Sequence, residues 1–176
     1  TNIRIVFMGT PFFAVHMLKG LIKEGYNIVG VITAPDRPAG RGQKLKQSAV
    51  KYYAQEQGLH VLQPTSLKST DFIAQLIGLK CDLQVVVAFR MLPKVVWEIP
   101  TLGTFNLHAS LLPQYRGAAP INWALINGEN ETGVTTFYID EKIDTGAIIL
   151  QSKVPILERD TAVSYTHLTL PTSHNV

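Results

Sequence analysis

Asn106 and His108 stand two residues apart in the run Thr104-Phe105-Asn106-Leu107-His108, whose β-branched and apolar residues predict a strand. Side chains at i and i+2 share one face of a strand. The amide and the imidazole therefore point the same way, near the strand's carboxyl end. Two hydrogen-bond donors side by side there could steady negative charge on a carbonyl oxygen as it becomes tetrahedral. They could equally be an Asn and a His satisfied by neighbouring backbone. A third polar group, Asp144, sits in Ile143-Asp144-Thr145-Gly146, a loop between two predicted strands. A carboxylate beside an imidazole favours the imidazolium. Asp and Gly are also ordinary turn residues, and spacing alone does not bring Asp144 to His108.

Other chemistries fare worse. The first turn reads Gly9-Thr10-Pro11, without the glycines that let backbone approach a dinucleotide pyrophosphate, and no G-x-x-x-x-G-K-[ST] occurs. No G-x-S-x-G elbow occurs, which argues against an α/β-hydrolase. His16, His60, His108, His167 and His174 lack the spacings of metal ligands, so no metal site is expected. Cys81 reads as a small core residue beside a buried strand rather than as a nucleophile.

These residues need a scaffold, and the composition supplies one. The chain has 176 residues, 46% hydrophobic and 16% charged, enough for a single domain with its own core and the opposite of a disordered composition. One cysteine excludes an internal disulfide framework and fits a reducing compartment. No apolar run approaches the roughly 20 residues that span a bilayer, and Thr1-Asn2-Ile3-Arg4 does not open a signal peptide, so a cytoplasmic location without a membrane partner is expected. The net charge of +3, from 16 basic and 13 acidic residues, permits an anionic partner.

Along the chain, Ile3–Met8 reads as a strand. A helix follows, with Thr10 as its cap and Pro11 in its first turn, carrying Ala14, Met17, Leu18, Leu21 and Ile22 on one face. Ile28–Ile32 is a second strand, and strand-helix-strand is the unit of a parallel sheet. Residues 34–44 read as a loop, 46–57 as a helix, and Val61-Leu62 as a short strand. Phe72, Ile73, Leu76 and Ile77 mark another helix. Leu83–Phe89 is almost wholly apolar, as a strand covered on both faces must be. A helix is expected over 118–126 and strands over 134–139 and 148–156, Pro155 placing the last at an edge. The expected fold class is α/β, a doubly wound, mostly parallel Rossmann-like sheet.

The ordered block Asn106-x-His108-x-Ser110-Leu111-Leu112-Pro113-x-x-Arg116-Gly117, followed by Ile143-Asp144-Thr145-Gly146, resembles the folate-dependent formyltransferases. Phe7-Met8-Gly9-Thr10-Pro11, the loop Pro35-Asp36-Arg37-Pro38-Ala39-Gly40-Arg41-Gly42 and Ala118-Ala119-Pro120-Ile121 resemble the branch of that family that formylates initiator methionyl-tRNA. The resemblance implies a catalytic set of Asn106, His108 and Asp144, with Asp144 holding His108 charged and oriented. It implies 10-formyltetrahydrofolate as co-substrate, with Ser110, Leu111, Leu112 and Pro113 lining its site. The flat folate ring also needs an apolar slot, for which Phe89, Arg90, Met91 and Leu92 leave the buried strand at the right end. That segment departs from the family's commoner Ala-Tyr-Gly-x-x-Leu-Pro and is a residue shorter.

Arg37, Arg41 and Lys44 belong to a basic loop that the resemblance directs at the tRNA acceptor end; a solvated loop is the plainer reading. Siblings that formylate a purine-precursor amine or an amino sugar, and a catalytically silent folate- or RNA-binding fragment, are the competing readings. The resemblance covers about residues 2–160, taken as the catalytic domain. Residues 161–176 are expected to be an atypical tail at a truncation or junction: Ala162–Val176 holds no Lys, Arg, Asp or Glu, where the family continues into a helix and a β-barrel.

Overall fold

The computed structural model describes residues 2–40, 42, 44–141 and 146–166. Its chain order is β1 (Arg4–Gly9), α1 (Phe12–Lys23), β2 (Asn27–Ile32), β3 (Arg37–Ala39), β4 (Lys44–Lys46), α2 (Ala49–Glu56) and β5 (Val61–Leu62). There follow α3 (Thr70–Gly78), β6 (Leu83–Val87), α4 (Lys94–Trp97), β7 (Thr104–His108), α5 (Pro120–Ile126), β8 (Glu131–Tyr138), β9 (Ile148–Pro155) and α6 (Ala162–Thr166). Seven strands form one sheet in the order β5-β2-β1-β6-β7-β8-β9, and β3 pairs with β4 apart from it. Pairing is parallel from β5 to β7 and antiparallel at β8 and β9. The α/β, mostly parallel expectation holds, with Pro155 on the edge strand.

Strand alternation builds two cores. Ile5 and Phe7 of β1 join Val85 and Val87 of β6 against Leu18 of α1 and Val50 of α2. Val6, Met8 and Val86 face the other way, onto Leu76 of α3 and Val96 of α4. Both faces are covered, which is why β1 and β6 read as nearly continuous apolar runs. Each fully buried side chain of this size stabilises the fold by roughly 1.5–3 kcal/mol, and Phe7, Met8, Leu18 and Leu76 are fully enclosed.

After β1 the chain steps to β2 on one side, and β6 then returns on the other. The strand order therefore reverses at β1, and open α/β sheets bind ligands outside the carboxyl ends of strands at such a point.

Several boundaries move. The N-cap of α1 is Pro11, with no side-chain cap, so the Thr10 cap is not formed; the Pro11 carbonyl accepts from Ala14 N instead, at 3.0 Å. The loop at 34–44 contains a hairpin strand, β3, paired with β4. It turns at Gly40 and Gly42, both at positive φ, where glycine carries no steric penalty. Consequently α2 begins at Ala49, where the Ser48 hydroxyl accepts from Lys51 N. β6 stops at Val87 because Ala88 adopts φ 49°. α5 begins at Pro120, later than its apolar pattern suggests, because a residue before proline is barred from the right-handed helix and Ala119 takes φ 53°. The uncharged tail opens as the helix α6, and residues 167–176 lie outside the described ones. Among the described residues no helix is long and apolar enough to cross a membrane.

Candidate active site

Outside the carboxyl ends of β1, β6 and β7 lies a cavity of about 960 Å³. Pro11 and Phe13 reach it from β1, residues 88–92 from β6, and Asn106 and His108 from β7. The two β7 side chains share one wall, as their spacing predicts. His108 is buried, and its Nε2 lies 2.7 Å from the Tyr115 carbonyl oxygen. Among the described residues, Asn106 Oδ1 is buried with no hydrogen-bond partner. A polar atom left so costs about 1–3 kcal/mol, a penalty that a ligand's donor would remove.

Phe89, Arg90, Met91 and Leu92 all line this cavity. Leu92 is buried, whereas Met91 is 72% exposed. The Arg90 guanidinium donates from Nη2 to the Pro64 carbonyl (2.7 Å) and from Nη1 to that of Thr65 (3.0 Å). It also stands 5.2 Å from the centre of the Phe89 ring. These contacts pin the 88–93 turn to the segment after β5. Burial, and then the like charge of Arg37, hold the Arg90 pKa below its ordinary value.

Ser110, Leu111, Leu112 and Pro113 do not line the cavity among its described walls. They form the turn behind His108. Ser110 Oγ donates to the Gln114 carbonyl at 2.7 Å. The Thr135 hydroxyl donates to the Ser110 carbonyl (2.7 Å) and accepts from Leu112 N (3.1 Å). Gln151 Nε2 reaches the Leu112 carbonyl at 2.8 Å and Thr135 Oγ1 at 3.0 Å. Leu111 packs where a Cβ on Gly133 would meet it, 2.7 Å away. The apolar and hydroxyl residues of this stretch lock the end of β7 to β8 and β9.

Asp144, with Ile143 and Thr145, lies outside the described residues. The chain on its near side, Asp140 and Glu141, lines the cavity, and Glu141 pairs with Lys94 at 3.1 Å. On its far side, a Cβ on Gly146 would overlap the Tyr138 carbonyl oxygen, and Tyr138 N donates to the Ala147 carbonyl. Of the described residues flanking 142–145, Asp140 and Glu141 line the cavity, whereas Gly146 and Ala147 are not among its described walls.

Arg37 and Lys44 are exposed on the β3–β4 hairpin, Arg37 opposite Lys46 and Lys44 opposite Ala39; Arg41 lies outside the described residues. Asp36, the acid nearest them, is engaged by Lys51 at 2.6 Å and Gln63 at 2.8 Å. Those two hydrogen bonds hold its carboxyl below the ordinary range. The hairpin thus keeps its positive charge toward solvent.

The sequence profile of the formyl transferase family matches residues 3–176. The chain belongs to the formyl transferase family. It is 67% identical over 161 residues to a methionyl-tRNA formyltransferase of Flavobacterium johnsoniae, covering 92% of this chain and 51% of that one. It is 64% identical over 159 residues to one of Bacteroides thetaiotaomicron, covering 90% and 49%. The chain thus spans about half the length of these relatives. Its fold is similar to that of phosphoribosylglycinamide formyltransferase from Bacillus halodurans, with TM-score 0.73, 23% identity, and 93% and 85% of the two chains covered. A sugar 3N-formyl transferase solved in the presence of dTDP and 5-N-formyl-THF gives TM-score 0.62 and 27% identity, with 94% and 58% covered.

Within this formyl transferase domain, sequence reasoning missed several parts of the cavity wall, Phe137, Ile139, Ala162 and Val163 among them, and two further stretches have evident reasons. One is the stretch Gly117–Asn122, which the sequence offers only as part of a motif. The other is Lys94 and Trp97 of α4, a four-residue helix too short to leave a periodic signal. Cys81 is buried in the α3–α4 core, and burial raises its thiol pKa, as befits a packing residue.

Proposed function

We propose that this domain transfers the formyl group of 10-formyltetrahydrofolate to the α-amino group of methionine on initiator methionyl-tRNA. The observation that carries this reading is the pairing of Asn106 and His108 on one cavity wall. The names of its relatives at 64–67% identity supply the acceptor. A cavity of about 960 Å³ matches small-molecule sites, which run to roughly 300–1,000 Å³ and are mostly apolar with a few placed polar groups. Phe89, Leu92 and Ile121 would flank the folate ring. Ser110, Leu111, Leu112 and Pro113 would act by shaping the turn behind it.

Energetics favours oxyanion stabilisation as the main task. A free α-amino group has a pKa near 7.7, so roughly a sixth of it is neutral at pH 7. Activating the remainder is worth only about 1 kcal/mol. One oxyanion-hole donor is worth about 2.7–4 kcal/mol. Asn106 and His108 would donate to the formyl oxygen as the amine adds. Asp144 would orient His108 and take part in passing the amine proton to the departing folate nitrogen, directly or through water. Arg37, Arg41 and Lys44 would contact the phosphates of the tRNA acceptor end.

The test is formyl transfer from 10-formyltetrahydrofolate to charged initiator tRNA, with His108→Ala as the control. Turnover that depends on His108 supports the reading. Transfer that survives His108→Ala refutes the site.

A further inference from the structure

We propose that Trp97 is a wall against which the folate ring lies, and that Thr104, braced by Gln84, is the positioning residue that holds it there. The proposal rests on the reading that a folate occupies the cavity.

Three polar side chains share one face of β7, at Thr104, Asn106 and His108. Asn106 and His108 line the cavity, whereas Thr104 is not among its described walls. The register sets Thr104 beside Gln84, the one polar residue of β6. Both are enclosed, Gln84 at 0% and Thr104 at 2% exposure. A buried amide in an apolar strand is costly unless it is hydrogen-bonded.

Thr104 Oγ1 lies 2.7 Å from the Trp97 carbonyl oxygen and 2.9 Å from Gln84 Oε1. A hydroxyl has one hydrogen to give, and the shorter contact is to Trp97. With the Gln84 amide turned end for end, which leaves its outline unchanged, its NH2 donates to Thr104 Oγ1. Its oxygen then accepts from Cys81, whose Sγ lies 3.9 Å from the amide. Burial raises the Cys81 thiol pKa, so the thiol keeps its hydrogen. A buried relay of donors runs from Cys81 through Gln84 and Thr104 to the Trp97 carbonyl.

The helix α4 needs such a hold. Four residues do not sustain a helix on their own, and a helix end leaves carbonyls unpaired. Glu98 N and Ile99 N donate to the carbonyls of Lys94 and Val96; the Thr104 hydroxyl donates to that of Trp97. Trp97 is half-buried against the α3–α4 core and lines the cavity with Phe89, Leu92, Phe137 and Ile139. Ile139 N in turn donates to the Thr104 carbonyl at 2.8 Å. One residue thus fixes two apolar walls of the cavity, and a flat indole among apolar side chains suits a flat ring.

The test uses 5-formyltetrahydrofolate as the probe, with Kd from calorimetry and Trp97 emission read in a Trp123→Phe background. Trp123 is 54% exposed and is not among the described cavity walls. Binding is expected to quench Trp97. Thr104→Val is expected to raise Kd about tenfold, shift the Trp97 emission to the red, and leave kcat for transfer within about twofold at saturating folate. Thr104→Ser, which keeps the donor, returns Kd to within about twofold. Trp97→Ala weakens binding to a similar degree, and adding Thr104→Val to it costs no more than about twofold again. Gln84→Met removes the brace, weakens binding about threefold, and keeps the test open if Thr104→Val does not fold. Binding indifferent to Trp97→Ala, or losses from Thr104→Val that multiply in full with those of Trp97→Ala, overturn the proposal alone. No binding to the unsubstituted protein overturns it together with the folate reading.

Discussion

The Thr135 hydroxyl of β8 donates to the Ser110 carbonyl at 2.7 Å, two residues beyond the imidazole of His108. The same oxygen accepts from Leu112 N and from Gln151 Nε2, and Thr135 is fully buried. One hydroxyl thus ties the turn after β7 to both antiparallel strands. Thr135→Val strips a donor from one buried carbonyl and an acceptor from two donors. It is expected to destabilise the domain by about 1–3 kcal/mol, read as a lower urea midpoint at unchanged slope. Thr135→Ser retains most of the stability.

Two glycines of the first unit respond in opposite directions to alanine. A Cβ on Gly9 would stand 2.7 Å from Ala14 Cβ and 2.8 Å from the Val87 carbonyl oxygen, which a packed backbone cannot yield cheaply. Gly9→Ala is expected to cost about 1–3 kcal/mol. Gly20 lies within α1 with nothing within 4 Å of the added carbon, so Gly20→Ala stabilises by about 0.5–1 kcal/mol. Thermal unfolding of the two variants checks both signs.

Acid sensitivity should trace in part to Asp36. Hydrogen bonds from Lys51 and Gln63 lower its folded pKa below the ordinary 3.8. A depressed folded value makes the unfolded chain bind the proton first. The stabilisation is therefore complete above pH 3.8 and is lost as the pH falls through the lower, folded value. Lys51→Met removes the leading cause and flattens that acid limb, with little change in slope above pH 5. Urea titrations across the acid range measure it.

The hairpin cations make an ionic-strength prediction. If Arg37 and Lys44 contact tRNA phosphates, each alanine substitution lowers the slope of log K against log salt by about 0.7–0.9 and leaves folate affinity unchanged. Equilibrium binding between 50 and 200 mM salt reads the slope. An unchanged slope in the double variant returns the hairpin to an ordinary solvated one.

What the sequence made legible follows from how local each feature is. The strand at 104–108 was readable to the residue because its alternation is local, and that alternation already put Asn106 and His108 on one wall. β1 and β6 were readable because strands covered on both faces leave continuous apolar runs. The β3–β4 hairpin was not, since Pro38, Gly40 and Gly42 break any period while still permitting a pair. The start of α5 was missed because Pro120 forces Ala119 out of the helix, overriding the apolar pattern. Ser110–Pro113 carry a strong motif, yet their placement behind the cavity depends on Thr135 and Gln151, which lie far along the chain. Tyr115 left no signal at all, because it meets His108 through a carbonyl, a group every residue has. Asp144 was approached only through family resemblance.

The central claim is that Asn106, paired with His108, stabilises charge on the formyl oxygen rather than merely holding the folate. Single-turnover transfer by Asn106→Ala, measured beside its folate Kd, tests this most directly. The account predicts a rate lowered about 10²–10³-fold, with a Kd within about threefold of the unsubstituted protein. A rate and an affinity that fall by the same factor would contradict it.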